Sequence, residues 1–424
     1  MKNNLAIFLI LLITTFAVWK NSVNTFFVQD DFIMFEKFAQ SGLANNLKKA
    51  LFSYQETHWR PVDNFYYLIS GRLFGLSYKN YHYLAIFIHA AASYLIFLIV
   101  NSLLRNKFSS LVSSIFYAIH PAFFVSIYWI SGGATEIGFV FLLLAIFLWI
   151  RKKFYLSLLS FALSTLASEA MVVGLFFILV IEFFKDKSDR QYKFAKTFIV
   201  YSLFFSVLRF IFLTPKTLLD VYSPRLSIDT LWAIKYYALR VLGFAEISGD
   251  FYTSFGVIIF LLAVLGGFSK KFGLGGNMKI LLIAATLILS GFFPFILLPY
   301  HLSPHYMNLS IFGLSIIVGF AFSIRQKRAY IFLLILFATS LSSISLIEKN
   351  NWVVERSKVS KFYIDEIQKT NLPPGSTLVF NDNPVSSSYE AYISLGAGEG
   401  IDFFFKDKNY KTCFSAFESC NILH

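Results

Sequence analysis

The sequence predicts an all-α polytopic membrane protein of about eleven transmembrane helices with a small extracytoplasmic α/β domain after them. Three observations predict it. The 424 residues are 57% hydrophobic and 14% charged, whereas soluble globular proteins are nearer half apolar and a quarter charged. Eleven apolar stretches approach the roughly 20 residues that a spanning helix needs. Finally, the cations fall on alternate connections between those stretches. A net charge of +13 would suggest nucleic acid in a soluble domain; here short basic cytoplasmic loops account for it, and no nucleic-acid partner is expected.

The first stretch, 5–24, has Lys2 ahead of an uncharged run from Leu5 to Trp19. Phe, Val, Trp and Lys stand where a signal-peptide cleavage site needs small residues, so the stretch reads as an uncleaved span. The others are 82–104, 108–128, 133–150, 154–168, 170–184, 195–213, 252–268, 279–298, 303–323 and 329–347, which makes 1–347 the transmembrane domain. With the N-terminus in the cytoplasm, the cytoplasmic loops carry Arg105 and Lys107; Arg151, Lys152 and Lys153; Lys185, Lys187, Arg190, Lys193 and Lys196; Lys270, Lys271 and Lys279; and Arg325, Lys327 and Arg328. The outer connections 129–132 and 299–302 have no Lys or Arg. A bacterial inner (cytoplasmic) membrane is the expected location.

Residues 154–184 form one apolar run broken only at Ser168-Glu169. A straight helix of that length would measure about 46 Å, against a hydrocarbon core of about 30 Å. Both flanks are basic, so a hairpin turning at Ser168-Glu169 is expected. In the first outer loop, 25–81, residues 32–51 place Phe35, Phe38, Leu43, Leu47 and Leu51 on one helical face and Glu36, Lys37, Gln40, Lys48 and Lys49 on the other. This pattern predicts a juxtamembrane amphipathic helix. Residues 64–76 and 228–243 are also assigned to the interface.

The polar residues 348–424 form the second domain, with a helix at about 352–369 and a strand within "LPPGSTLVFND" (372–382). Cys413 and Cys420 are the two cysteines; spacing alone leaves a disulfide between them open.

Polar groups gather on the outer side. Asp30 and Asp31 follow the first span; adjacent acids repel, which raises the pKa of one. Asp31 is expected to cap the helix that starts at Phe32, leaving Asp30 to face a cavity. His58, Arg60 and Asp63 precede the second span, Glu136 opens the fourth, Glu169 lies at the hairpin tip, and His301 and His305 flank "SP" in "YHLSPHYM". Ionisable groups at membrane depth face a bundle interior or a watery cavity. The competing reading for Glu136 and Glu169 is pairing that only holds helices together. For His89 and His120, helix-packing hydrogen bonds are expected. Together the set suits transfer of a sugar from a lipid phosphate. A carboxylate takes the acceptor proton, cations stabilise the departing phosphate, and the acids can hold a divalent cation, Mg or Mn, at Asp30.

The motifs "QDDF", "WRPVDNFYYLISGRLFGLSYKNYHYLAIFIHA", "IHPAFFVSIYWISGGATE", "ASEA" and "PHYMNLSIFG" resemble, in order and in side of the membrane, the GT-C superfamily of integral-membrane glycosyltransferases. The nearest likeness is to the O-mannosyltransferase-like (TMTC-type) group. It covers 5–184 and, loosely, 290–320. Ser168 and His305 stand where the family has Lys and Arg, and the α/β tail replaces tetratricopeptide repeats. The resemblance implies a GT-C-like fold and an inverting hexosyl or mannosyl transferase that uses a polyprenyl-phosphate-linked sugar and a glycan, lipid or protein acceptor at the outer face. It implies Asp30 as general base or metal-linked carboxylate, Asp31 beside it, Glu136 and Glu169 as further catalytic acids, and Arg60, His58, His305 and His301 around the donor phosphate. The alternatives are a glycolipid flippase or secondary transporter, a glycan polymerase or ligase using the late loop "KTLLDVYSPRLSIDT", and a pseudoenzyme that binds lipid-linked sugar.

Overall fold

The computed structural model describes residues 2–39, 42–52, 59–185, 188, 190–212, 224–245, 254, 257, 258, 261, 276–322, 326–417 and 420. The described chain is mostly helical. Its helices are α1 (Lys2–Trp19), α2 (Asp30–Ala39), α3 (Leu43–Phe52), α4 (Pro61–Phe74), α5 (Tyr78–Leu104), α6 (Lys107–Ala118), α7 (Phe124–Tyr128), α8 (Ile130–Ile150), α9 (Phe154–Ala167), α10 (Gly174–Phe183), α11 (Tyr192–Val207), α12 (Ile228–Val241), α13 (Gly276–Ile296), α14 (Asn308–Phe322), α15 (Gln326–Asn350), α16 (Trp352–Thr370), α17 (Ser388–Ser394) and α18 (Glu399–Phe404).

Six helical segments are long and apolar enough to cross a membrane: Asn4–Asn24, Tyr78–Leu104, Ile130–Ile150, Met278–Ile296, Pro304–Phe322 and Tyr330–Asn350. A seventh is the pair Lys107–Ala118 and Pro121–Tyr128, bent by 44°. Pro121 supplies no backbone N–H and interrupts the ladder there; His120 Nδ1 accepts from Ala122 N at 3.3 Å and caps the new turn. By length, then, the described residues hold six or seven crossings, fewer than the eleven expected. The stretches expected at 154–168, 170–184 and 195–213 form helices of 14, 10 and 16 residues, short of the length that spans unaided. The stretch at 252–268 lies outside the described residues except for 254, 257, 258 and 261.

The hairpin over 154–184 is visible in its contacts. The chain leaves helical geometry at Ser168, in extended backbone, and restarts as a 3-10 turn over Glu169–Val173. Both ends of the run meet one residue: Phe154 packs edge-on against Trp149 at 5.0 Å, and Lys185 Nζ lies 5.2 Å over the same ring. Its tip meets the opposite half of α8, where a Cβ on Gly138 would lie 3.2 Å from Ala167 and 3.5 Å from Met171. The basic connections at 151–153, 185 and 279 therefore share one end of the bundle, where Lys279 Nζ donates to Phe184 O at 2.8 Å; Lys187, Lys270, Lys271 and Arg325 lie outside the described residues.

The opposite end carries the first loop and the tail. The helix expected over 32–51 is two helices, α2 and α3, and their apolar faces differ in fate. Phe32, Phe35 and Phe38 of α2 are buried, whereas Leu43, Leu47 and Leu51 of α3 are exposed. On its other face α3 buries Asn46 and Ala50, and these bond the neighbouring elements: Asn46 Nδ2 donates to Phe38 O, and Asn64 Nδ2 of α4 to Ala50 O. One aromatic core unites α2 with the tail. Phe27 meets Tyr81, Phe403 and Phe404 at 5.5, 5.7 and 5.9 Å, and Phe35 meets Tyr81 at 4.7 Å.

In the tail, strands β1 (Thr377–Phe380) and β2 (Lys411–Phe414) pair in parallel, with Thr377 opposite Lys411 and Phe380 opposite Phe414. The helix and strand read from the sequence appear as α16 and β1. Cys413 and Cys420 are joined by a disulfide.

Candidate functional site

The chain leaves α1 through a 3-10 turn over Lys20–Asn24, becomes extended at Thr25 and turns sharply at Gln29, whose φ of 54° places a non-glycine residue in the left-handed region. Such a conformation costs about 1–3 kcal/mol and persists where surroundings over-determine it. Here the tail does so: Gln29 N donates to Ser394 O at 3.0 Å, and Arg356 Nη1 donates to Gln29 Oε1 at 3.0 Å. α2 starts directly after this turn with Asp30 and Asp31.

The two acids divide as expected, one structural and one partly open, but the structural one makes different bonds. Asp31 is fully buried; its Oδ2 accepts from Val28 N at 3.0 Å, and its Oδ1 accepts from the amide and hydroxyl of Ser131 at 2.8 and 2.7 Å. It ties the loop to the first turn of α8 instead of capping its own helix from outside. Burial raises its pKa to about 7, against the opposing pull of the Ser131 and Val28 bonds. Asp30 is half-buried, and burial raises its pKa also, opposed by the Gln29 hydrogen bond and the Arg356 charge.

A second cluster forms around Glu169. Arg60, just before α4, grips it with both arms of its fork: Nε to Oε2 at 2.8 Å and Nη2 to Oε1 at 3.0 Å. Arg209 approaches the same carboxylate at 3.7 Å. It lies in the π-helical turn Leu208–Phe212 that extends α11. Such turns recur at functional sites. Burial works against the Arg60 charge, but Glu169 outweighs it and the guanidinium is held protonated. Asp63, on the first turn of α4, is buried, and its Oδ1 accepts no hydrogen bond among the described residues. Burial raises its pKa to about 7; the Arg60 charge opposes this and the Glu169 charge adds to it. Two guanidiniums thus share one committed carboxylate, with a second acid alongside.

The third group comes from the turn before α14. His301 Nε2 and the Tyr306 hydroxyl share a hydrogen bond of 2.6 Å, as do His305 Nδ1 and the Ser303 hydroxyl. Burial lowers the pKa of His301, and the Arg60 charge lowers it further. His305 is buried against Trp129, with ring centroids 6.4 Å apart. Among the expected site residues, Asp30, Asp31, Arg60, Glu169, His301 and His305 thus lie at one end of the bundle. His58 lies outside the described residues. Glu136 is not part of this group: it is 3% exposed within the helix bundle and accepts from His89 Nδ1 at 2.9 Å, the Tyr117 hydroxyl at 3.2 Å and Asn308 Nδ2 at 2.9 Å. Its bonds join α5, α6, α8 and α14. His120 likewise bonds Val241 O at 3.1 Å.

Two residues join the site that the sequence reading left out of it: Ser131 and Arg209. Arg209 had a visible signal, a lone cation within an apolar run, which by default marks function. Ser131 had none, because its partner is 100 residues away.

Asp31 commits its oxygens to N–H and O–H donors, which leaves Asp30 as the carboxylate of the turn that could meet a divalent cation. Among the described residues no group of three or more His, Cys, Asp or Glu could hold a metal ion. Any cation at Asp30 would therefore take most of its oxygen ligands from waters and from a substrate phosphate. The site thus offers a half-buried carboxylate and two guanidiniums on one carboxylate. No protein-family model matches the chain, and no curated protein sequence matches it.

Proposed function

We propose that this chain is an inverting glycosyltransferase of GT-C type that moves a sugar from a polyprenyl phosphate to an acceptor hydroxyl. In this reading the chain crosses the membrane about eleven times, the three short helices completing their crossings inside the bundle. The N-terminus faces the cytoplasm of a bacterial inner membrane, and the acid turn and the tail lie outside. The observation that carries it is the placement at one end of the bundle of the Asp30-Asp31 turn and of two guanidiniums on one carboxylate.

Asp30 takes the proton of the acceptor hydroxyl as its oxygen attacks the anomeric carbon. The bond from that carbon to the phosphate oxygen breaks, and its electron pair leaves with the polyprenyl phosphate. A carboxyl whose pKa is raised by burial is a better base near neutral pH than an exposed one. Asp31 holds the turn in place through Ser131. Arg60 and Arg209 receive the charge that grows on the phosphate, as planar donors suit its oxygens; His301 and His305 border them. Arg209 restores a fixed cation in a chain where Ser168 and His305 replace the Lys and Arg of the resembled family. The lipid tail approaches these guanidiniums along α11, where Leu203, Phe204 and Val207 are exposed.

The test is Asp30→Asn in reconstituted full-length protein, with transfer measured from a radiolabelled polyprenyl-phosphate sugar. A base worth about 10²–10⁴ in rate should be lost. Undiminished transfer removes Asp30 from catalysis.

A further inference from the structure

The first turn of the tail helix α16 closes on the end of the bundle beside the acid turn, through aromatic and hydrogen-bonding side chains. Trp352 meets Trp129 edge to face, with ring centroids 5.3 Å apart and an angle of 74°. Both indoles are half-buried. Arg356, one turn along α16, places its guanidinium 5.3 Å from the Trp352 centroid. The same guanidinium reaches Gln29 Oε1 at 3.0 Å and the Glu390 carboxylate at 3.1 and 3.4 Å. Asp30 is the next residue after Gln29. An unbroken wall therefore runs from the two tryptophans to the half-buried carboxylate.

Two features of this wall point to a ligand. The Trp129 Nε1–H is covered from solvent and donates to no acceptor among the described residues. An unmade bond of that kind costs about 1–3 kcal/mol, which an acceptor on a bound molecule recovers once the half-buried indole turns its N–H outward. The charges are also balanced: Glu390 neutralises Arg356, and both remain reachable at 41% and 23% side-chain exposure. A balanced pair does not select an anion. It offers donors and acceptors together, as a neutral polyhydroxylated ring requires. Pyranoses carry an axial C–H face beside equatorial hydroxyls. The C–H face fits the electron-rich face of an indole, and the hydroxyls suit the fork and the carboxylate.

We propose that Trp129, Trp352, Arg356 and Glu390 form a subsite for a pyranose ring of the acceptor, built jointly by the helix bundle and the tail, which presents an acceptor hydroxyl toward Asp30. The direction of delivery rests on the transferase reading above; recognition of the ring does not.

The experiment is saturation-transfer NMR on the detergent-solubilised full chain with the methyl α- and β-glycosides of glucose, galactose, mannose and N-acetylglucosamine. At least one glycoside should take up saturation on its ring C–H protons. Trp352→Ala should reduce this about 3- to 10-fold, the worth of one aromatic contact, and Trp352→Phe should retain most of it. Arg356→Lys, which keeps the charge but loses the fork, should weaken it independently of any folding defect in the alanine variant. Asp30→Asn should keep the sugar signal while losing transfer. No saturation with any glycoside, or saturation unchanged in both Trp352→Ala and Arg356→Lys, overturns the subsite even if transfer is robust. Saturation that depends on Trp352 in a protein that transfers nothing leaves the subsite standing and removes the transferase reading.

Discussion

Asp31 accepts both the amide and the hydroxyl of Ser131, at 2.8 and 2.7 Å, across 100 residues of chain. One carboxylate thus fixes the first loop to the start of α8. The anchor is expensive, since burial raises the Asp31 pKa to about 7 despite these donors. A folded-state pKa above the unfolded one stabilises below about pH 4, and that contribution is lost as pH rises through about 7. Ser131→Ala removes one donor to the charged form, so it raises the folded pKa further. The variant should lose about 1–3 kcal/mol near neutral pH and much less at about pH 4. Thermal unfolding of the solubilised protein across that range checks this; an equal loss at both ends would mean that Asp31 does not titrate in the folded state.

The Arg60–Glu169–Arg209 cluster separates a structural ion pair from an anion site. Glu169→Gln should destabilise by about 2 kcal/mol, less than the 3–5 typical of a fully buried pair, because Arg60 and Glu169 keep 27% and 20% of their side chains exposed. The same variant removes the charge that both guanidiniums share, so binding of a polyprenyl phosphate should tighten. Arg60→Lys should weaken that binding about tenfold, since an ammonium cannot reproduce the two-armed contact. Lipid-phosphate affinities measured by native mass spectrometry decide the matter, and a Glu169→Gln protein with unchanged affinity would make the cluster structural only.

How much of this was legible in the sequence follows from the range of each interaction. The turn at Ser168, the helix starting at Trp352 and the strand at Thr377–Phe380 are local: a break in an apolar run and a Pro-Gly turn announce them. The side of the bundle shared by Asp30, Arg60, Glu169 and His305 followed from the alternation of basic loops. What pattern could not supply was pairing. Asp31 and Asp30 look alike in a string; only the position of Ser131 makes one an anchor and leaves the other half-exposed. Glu136 and Glu169 likewise looked alike, yet one bonds His89, Tyr117 and Asn308 within the bundle and the other bonds Arg60 at its end. The amphipathic stretch 32–51 misled for a related reason. Its leucines and phenylalanines share a helical period, but Phe32 and Phe35 are covered by tail residues hundreds of positions later, and Leu43 and Leu47 are not.

Asp63 gives a second pH dependence. Its pKa of about 7 comes first from burial, with Glu169 adding to it and Arg60 opposing. The unfolded carboxyl titrates near 3.8, so the folded protein holds this proton more tightly between about pH 4 and 7, and stability should fall as pH rises through that window. Asp63→Asn removes the proton exchange. Its unfolding temperature should therefore decline less steeply than that of the wild type over the window, and the difference between them should be greatest above about pH 7. Parallel curves for the two proteins would show that the buried carboxyl is ionised throughout.

The last prediction concerns how the tail holds the acid turn. Gly396 sits at φ 60°, and a Cβ there would lie 2.6 Å from Gln29 O and 3.3 Å from Phe32 Cβ. The first contact is with backbone, so a rotamer change cannot relieve it. Gly396→Ala therefore adds left-handed strain to a steric conflict, together about 1–3 kcal/mol. Relief comes by moving either the tail loop or the turn at Gln29, which is itself held by Ser394 O and Arg356. Two observables separate these. If the tail yields, hydrogen exchange should rise over 388–404 while transfer falls little. If the turn yields, exchange should rise at 29–32 and transfer should fall about 10²-fold, the penalty of a base displaced by about an ångström. The second outcome is expected. Gln29 lies in the left-handed region without being glycine, so its conformation is imposed by its neighbours and is the weaker of the two surfaces. A variant with wild-type exchange at 29–32 and wild-type transfer would mean that the tail covers the turn without positioning it.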